Sequence, residues 1–109
     1  MSKFQLQDFV EYGRLFDLYG DLLSADRQKI MSDYFEFNMT LAEIAQEKNI
    51  SRQAVLDAID KSCEKLKEFE SVLQIYAKRN ALRADLTELL SLAESKELKE
   101  KVEEILRKL

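Results

Sequence analysis

Apolar side chains recur every three or four residues along most of the chain, which is the spacing of amphipathic helices. The first stripe predicts a helix from about Phe4 to Tyr19. Four of its aromatic residues fall at alternating spacings of three and four, namely Phe9, Tyr12, Phe16 and Tyr19. Because exposing so many rings would leave a large apolar patch, we interpret them as core rather than as a base-stacking platform. Gly20 is expected to end this helix in the left-handed conformation.

Hydroxyl side chains mark the starts of the helices that follow. Ser24 is predicted to cap the second helix, whose apolar face reaches Phe37 and whose end is marked by Asn38. Thr40 with Glu43 three residues later has the pattern of a capping box and predicts a short third helix. Ser51 and Ser95 are predicted to cap the fourth helix and the last helix in the same way.

No helix-breaking residue interrupts residues 52–78, which predicts a single helix of roughly 40 Å at 1.5 Å per residue. A helix of that length exceeds what a small bundle can bury by itself. The last segment carries apolar residues with heptad spacing, namely Leu98, Val102, Ile105 and Leu109. We therefore expect residues 71–109 to be a dimerisation region and the protein to be a homodimer.

The length of 109 residues suggests one domain over residues 1–109, with a helical bundle in residues 4–70 and a helical region in residues 71–109. Two glycines and no proline argue against sandwiches and barrels, which need many tight turns. Without histidine and without a glycine-rich phosphate loop, we expect no enzyme activity, no cofactor and no metal site.

The number of cysteines and the length of the apolar runs indicate where in the cell the protein is expected. The single cysteine, Cys63, excludes an internal disulfide and fits a reducing cytoplasm; we interpret it as a small buried hydrophobe rather than a redox sensor. No apolar run approaches the roughly 20 residues of a membrane span, and residues 1–8 show no secretion signal. The expected location is cytoplasmic, with no membrane partner.

Seventeen basic and 21 acidic residues give a net charge of −4, so the overall field opposes binding to nucleic acid. Any contact with DNA or RNA must come from a local surface. Residues 71–84 contain three cations and no acid, and a secondary basic patch is predicted there from Tyr76, Lys78, Arg79 and Arg83. The alternative is a solvated helical junction.

Residues 40–59, TLAEIAQEKNISRQAVLDAI, have the spacing of a helix-turn-helix. Ala45 supplies the small residue where two helices cross, and Asn49 supplies the turn four positions later. Apolar contacts that fix the second helix are expected from Ile44, Ile50, Val55 and Ile59. The candidate nucleic-acid-binding residues, at and after the start of that helix, are Ser51, Arg52, Gln53, Leu56 and Asp57. An ordinary helical corner remains the alternative.

Residues 40–67 resemble region 4 of the bacterial sigma factors, and residues 14–70 resemble the YlxM family of small helix-turn-helix proteins. The segments LFDLYGDLLS, LAEIAQE and ISRQAV carry the second resemblance. It implies an all-α, sigma region 4-like bundle and a DNA-binding regulatory protein of the signal recognition particle pathway, with duplex DNA as its partner.

Two residues depart from the sigma pattern. Leu56 and Asp57 stand where sigma factors place an arginine and a glutamine. Neither can donate a hydrogen bond, because the leucine side chain is apolar and the aspartate side chain is ionised. The alternative function is a module that does not bind DNA and instead docks on the GTPase or the RNA of the signal recognition particle.

Overall fold

The computed structural model describes the backbone of residues 6–109 and the side chains from residue 8 onward. Within that range all regular structure is helical, which confirms the all-α prediction. The helices are α1 (Leu6–Tyr19), α2 (Ala25–Phe35), α3 (Leu41–Lys48), α4 (Arg52–Leu73), α5 (Ile75–Leu92) and α6 (Lys96–Lys108), with a short 3-10 turn at Gly20–Leu22. The predicted start of the first helix at Phe4 lies outside the described residues. None of the described helices is long and apolar enough to cross a membrane.

The chain divides into two compact units, with the boundary between Leu73 and Gln74. In the N-terminal unit α4 packs against α1, α2 and α3, and in the C-terminal unit α5 packs against α6. The core of the N-terminal unit consists of buried apolar side chains from all four helices, chiefly Leu15, Phe16, Tyr19, Ile30, Met31, Ile44, Val55, Ile59 and Leu66.

The aromatic stripe of α1 belongs to this core. Phe16 and Tyr19 are buried, and Phe9 and Tyr12 are half-buried. The Phe9 ring lies 4.8 Å from that of Phe35 and 5.7 Å from that of Tyr34, centroid to centroid. These are the separations at which aromatic pairs attract one another, so the interpretation as core is confirmed.

Gly20 does not have the predicted left-handed conformation, since no glycine of the described chain has a positive φ. Instead it is buried at the start of the 3-10 turn. A Cβ at this position would lie 2.7 Å from a carbon of the Phe16 ring, which is inside van der Waals contact. The sequence requires glycine here because the ring packs directly on the backbone.

The end of α2 also differs from the prediction. The helix stops at Phe35, and Phe37 is 70% exposed rather than part of the apolar face. The chain turns here because Asn38 adopts a left-handed φ of 54°, and the Met39 N–H donates to the Asp33 carbonyl oxygen.

The single helix predicted over residues 52–78 is wrong. Helix α4 ends at Leu73, and Gln74 adopts a left-handed φ of 55° before α5 begins at Ile75. Gln is an unusual residue at a positive φ, so its identity gives no signal of a helix end. The uninterrupted length that suggested a dimer is therefore absent, and any interface must be argued from the surface of the helices.

A hydrogen bond between side chains joins α1 to the last turns of α4. The buried Tyr19 hydroxyl donates to Glu70 Oε1 at 2.6 Å, and the Tyr19 ring lies 6.2 Å from that of Phe69. Glu70 is half-buried, so water could not fully replace the Tyr19 hydroxyl if this hydrogen bond were removed.

We expect Tyr19→Phe to lower the free energy of unfolding by about 1–2 kcal/mol, since a hydrogen bond to a partly buried charge is lost. Urea denaturation followed by circular dichroism measures this change. Glu70→Gln is the matched control, because its amide oxygen can still accept the bond and the loss should be smaller. Equal stability of Tyr19→Phe and the unmodified protein would contradict the assignment.

Cys63 is buried in α4, as predicted. Burial, with a smaller contribution from the nearby Asp60 carboxylate and against the opposing effect of Lys67, raises the pKa of its thiol to about 12. Almost no thiolate is present near neutral pH, and the thiolate is the reactive form.

Cys63 should therefore react very slowly with a thiol-specific aromatic disulfide reagent at pH 8 in the native protein. In concentrated urea the same thiol should react at the rate of an ordinary exposed cysteine. Absorbance of the released thiolate follows both rates, and fast reaction of the native protein would show that the thiol is accessible.

Candidate nucleic-acid interface

The helix-turn-helix begins with a capping box, as the sequence predicts. The Glu43 N–H donates to Thr40 Oγ1 at 3.1 Å, and the Thr40 N–H donates to Glu43 Oε1 at 2.8 Å. These bonds satisfy two backbone groups that the first turn of α3 would otherwise leave unpaired. The backbone bond from Thr40, with a smaller contribution from its hydroxyl, lowers the pKa of the Glu43 carboxyl.

The turn between α3 and α4 is closed by Asn49. It has a left-handed backbone with φ 58° and ψ 47°, and the Ile50 N–H donates to the Ala45 carbonyl oxygen at 3.0 Å. Ser51 then caps α4, because its Oγ accepts a hydrogen bond from the Ala54 N–H at 3.0 Å. The predicted roles of Asn49 and Ser51 are confirmed.

Buried contacts fix α4 against α3. Ala45 is buried in α3, and the apolar residues Ile44, Val55 and Ile59 are fully buried. Ile50 is 41% exposed, so it is much less buried than the other three predicted contact residues.

A contact from α2 that the sequence did not reveal also holds α4. The Arg27 guanidinium reaches the Ala58 carbonyl oxygen at 3.4 Å and the buried Ser62 Oγ at 3.5 Å. Arg27 lies in the first turn of α2, 31 residues before Ala58. Spacing along the sequence reports only contacts within one helix, so it gives no signal of this one.

The five predicted contact residues lie together at the start of α4. Ser51, Arg52, Gln53 and Asp57 are exposed, and Leu56 is half-buried. An open notch of about 230 Å³ lies between the starts of α3 and α4, lined by Leu41, Arg52, Gln53 and Leu56. Leu41 is half-buried and forms one wall of this notch.

Charges around the notch nearly cancel. Gln53 Nε2 donates to Asp57 Oδ1 at 3.0 Å, which occupies one amide hydrogen of the Gln53 side chain. Lys48 is paired with Asp26 at 2.5 Å. Among residues 8–109, Arg52 makes no ion pair. Arg52 is therefore the unneutralised cation of this surface.

The secondary basic patch lies in the C-terminal unit, on α5. Lys78, Arg79 and Arg83 are exposed and Tyr76 is half-buried. At about 100° per residue, Tyr76, Arg79 and Arg83 share one side of the helix, while Lys78 lies on another. Only part of the predicted patch is therefore a common surface. Across the part of the chain that the structure describes, no group of acidic or cysteine side chains could hold a metal ion.

Comparison with known proteins places this geometry in a family. A family model described as "Putative helix-turn-helix protein, YlxM / p13 like" matches residues 6–107. The chain belongs to this family, UPF0122. A UPF0122 protein of Bacillus mycoides is 41% identical over 96 residues, covering 84% of this chain and 87% of the relative. One of Fusobacterium nucleatum is 36% identical over 84 residues, covering 77% and 82%. One of Bacillus thuringiensis is 40% identical over 96 residues, covering 84% and 87%.

Membership in UPF0122 confirms the resemblance to the YlxM family. The matched region includes the whole motif from Thr40 to Ile59 and most of the C-terminal unit. The family description is of a helix-turn-helix protein, which agrees with the turn, the caps and the buried contacts of α3 and α4.

Removing the cap of α3 should destabilise the N-terminal unit. Thr40→Ala should cost about 1 kcal/mol of unfolding free energy, because the Glu43 N–H loses its acceptor. Thr40→Ser keeps the hydroxyl and is the matched control. Thermal melting of the three proteins measures the difference, and equal melting temperatures would contradict the capping role.

The Glu43 side chain of the capping box makes the stability of the fold depend on pH. Since the pKa of Glu43 is lowered in the folded protein, its carboxylate contributes fully to the free energy of unfolding above the ordinary pKa value of 4.5. This contribution is lost as the pH falls through the lowered value, and Glu43→Gln should lack that part of the acid sensitivity.

Proposed function

We propose that this protein is a non-enzymatic regulator that binds duplex DNA through the first two turns of α4. The observation that carries the proposal is the geometry at the start of α4. Asn49 turns the chain and Ser51 caps the helix. Arg52 and Gln53 follow and are exposed to solvent. In helix-turn-helix proteins this end of the second helix enters the major groove.

Each exposed side chain has a chemistry suited to one kind of contact. Arg52 can bind a phosphate or the two acceptors of a guanine edge, and Leu56 can contact a thymine methyl group. Asp57 can accept a hydrogen bond from the cytosine amino group, provided that no phosphate lies close to its carboxylate. Gln53, already bonded to Asp57, has one amide hydrogen and its oxygen left for an adenine edge.

The charge of the surface around the start of α4 determines how tightly we expect it to bind DNA. One unneutralised cation at the notch and a net charge of −4 supply little of the phosphate attraction that gives DNA-binding proteins most of their affinity. The proposed binding is therefore weak per site and depends on base contacts more than is usual.

We extend the proposal to a role in the signal recognition particle pathway in the cytoplasm, which rests on the resemblance to the YlxM family.

A second candidate is docking on a protein or on RNA of the same particle. The notch favours it, because two of its four lining residues are leucines and the carboxylate of Asp57 lies beside it. An apolar side chain of a partner protein, flanked by a basic one, would fit such a surface.

Fluorescence anisotropy separates these functions. We would titrate the protein into a pool of random-sequence duplexes enriched for binders, and into the small RNA of the particle, at about 50 and about 200 mM salt. Arg52→Ala should weaken duplex binding and reduce the salt slope by about one.

Lys65→Ala is the matched control, because Lys65 is an exposed cation of α4 that lies about 20 Å further along the helix. It should leave both quantities unchanged. Equal losses in the two variants would mean non-specific attraction to charge. Absence of binding to duplex at low salt would rule out the DNA function, and binding to the RNA alone would favour the second candidate.

A further inference from the structure

Helix α5 has a line of large apolar side chains that remain open to solvent. Ile75, Leu82 and Leu89 are 39%, 46% and 44% exposed. Residues seven apart on a helix differ in direction by only about 20°, so these three side chains lie along one side of α5. No residue of α5 is buried.

The C-terminal unit is small for an isolated fold. It spans Gln74–Leu109, and its buried residues are Ala93 and Val102. Units shorter than about 40 residues usually need a further partner to remove enough apolar surface from water. The exposed line on α5 is the surface that such a partner would cover.

We propose that this line binds a second copy of the same chain, with the two α5 helices antiparallel and Leu82 at the twofold axis. Ile75 and Leu89 lie seven residues before and seven residues after Leu82. In this arrangement Leu82 therefore meets the partner's Leu82, and Ile75 meets the partner's Leu89. The apolar contact covers about 21 Å of helix at 1.5 Å per residue.

Charge favours the antiparallel direction. Lys78 and Asp85 lie on the same flank of the apolar line, four residues before and three residues after Leu82, and both are exposed. Within residues 8–109 neither makes an ion pair. An antiparallel pair keeps both residues on the same flank and brings each Lys78 level with the partner's Asp85. A parallel pair would place Lys78 and the partner's Asp85 on opposite flanks and at different heights, so the attraction would be lost.

The arrangement is independent of the proposed DNA contact, because it uses the C-terminal unit alone. Each copy brings an α5–α6 hairpin, so that two copies together provide four helices. Four-helix bundles bury apolar lines of this kind between antiparallel neighbours.

Cysteine cross-linking tests the direction and the register. Leu82→Cys should form a disulfide-linked dimer on mild oxidation of the full chain, since the two Cys side chains meet at the axis. Leu89→Cys is the matched control: in the antiparallel register its two copies lie about 21 Å apart, far beyond the reach of a disulfide. A mixture of Ile75→Cys and Leu89→Cys should give the mixed dimer. The native Cys63 is buried, and the unmodified protein measures any contribution from it.

Charge reversal tests the same register without a covalent bond. Lys78→Asp and Asp85→Lys should each raise the dimer dissociation constant about tenfold in sedimentation equilibrium, because each creates two like-charge pairs. The double variant should return close to the original value. A monomer at every concentration, equal cross-linking at positions 82 and 89, or failure of the double variant to recover would overturn the proposal.

Discussion

Helices α1, α2 and α3 all pack on α4, and the apolar side chains from Val55 to Leu66 form their common contact. Because one helix serves as the core for three others, its position is set by the sum of their contacts. The start of the same helix presents the candidate contact residues. The orientation of Arg52 and Gln53 is thus decided by residues that they never touch, among them Arg27 in α2 and Ile44 in α3.

This arrangement separates the stability of the motif from the chemistry of its surface. The turn, the two caps and the buried contacts require particular residues, whereas the exposed positions can change without loss of the fold. Leu56 and Asp57 are the positions where the chain departs from the sigma pattern that it resembles, and α4 still has 22 residues and a buried face. A helix-turn-helix can therefore retain its geometry while its affinity for phosphate declines, and this is why fold alone does not decide the partner.

Local chemistry allowed the starts of several helices to be predicted from the sequence. Capping by Ser24, Thr40, Ser51 and Ser95 depends on a few adjacent residues, and each of these caps is present. Periodicity identified most of the buried positions of α1 to α4 in the same way. The candidate contact residues could be named because the motif fixes their spacing, and their binding to DNA stays a prediction.

The errors arose where distant contacts or unusual backbone decide the outcome. Gly20 is required by the ring of Phe16 rather than by a left-handed turn, and sequence spacing does not report that approach. Phe37 matched the apolar period of α2 but follows the point where the helix ends. Gln74 has no property that marks a left-handed residue, so the division of α4 from α5 was not visible.

The backbone conformation of Gln74 has an energetic consequence. A left-handed backbone costs a residue with a Cβ about 1–2 kcal/mol relative to the helical one. Residues 52–73 and 75–92 are helical on either side of it. Gln74 therefore adopts its conformation against its own local preference, and the free energy that holds it there must come from the contacts of other residues. The end of α4 is set in this way without glycine or proline.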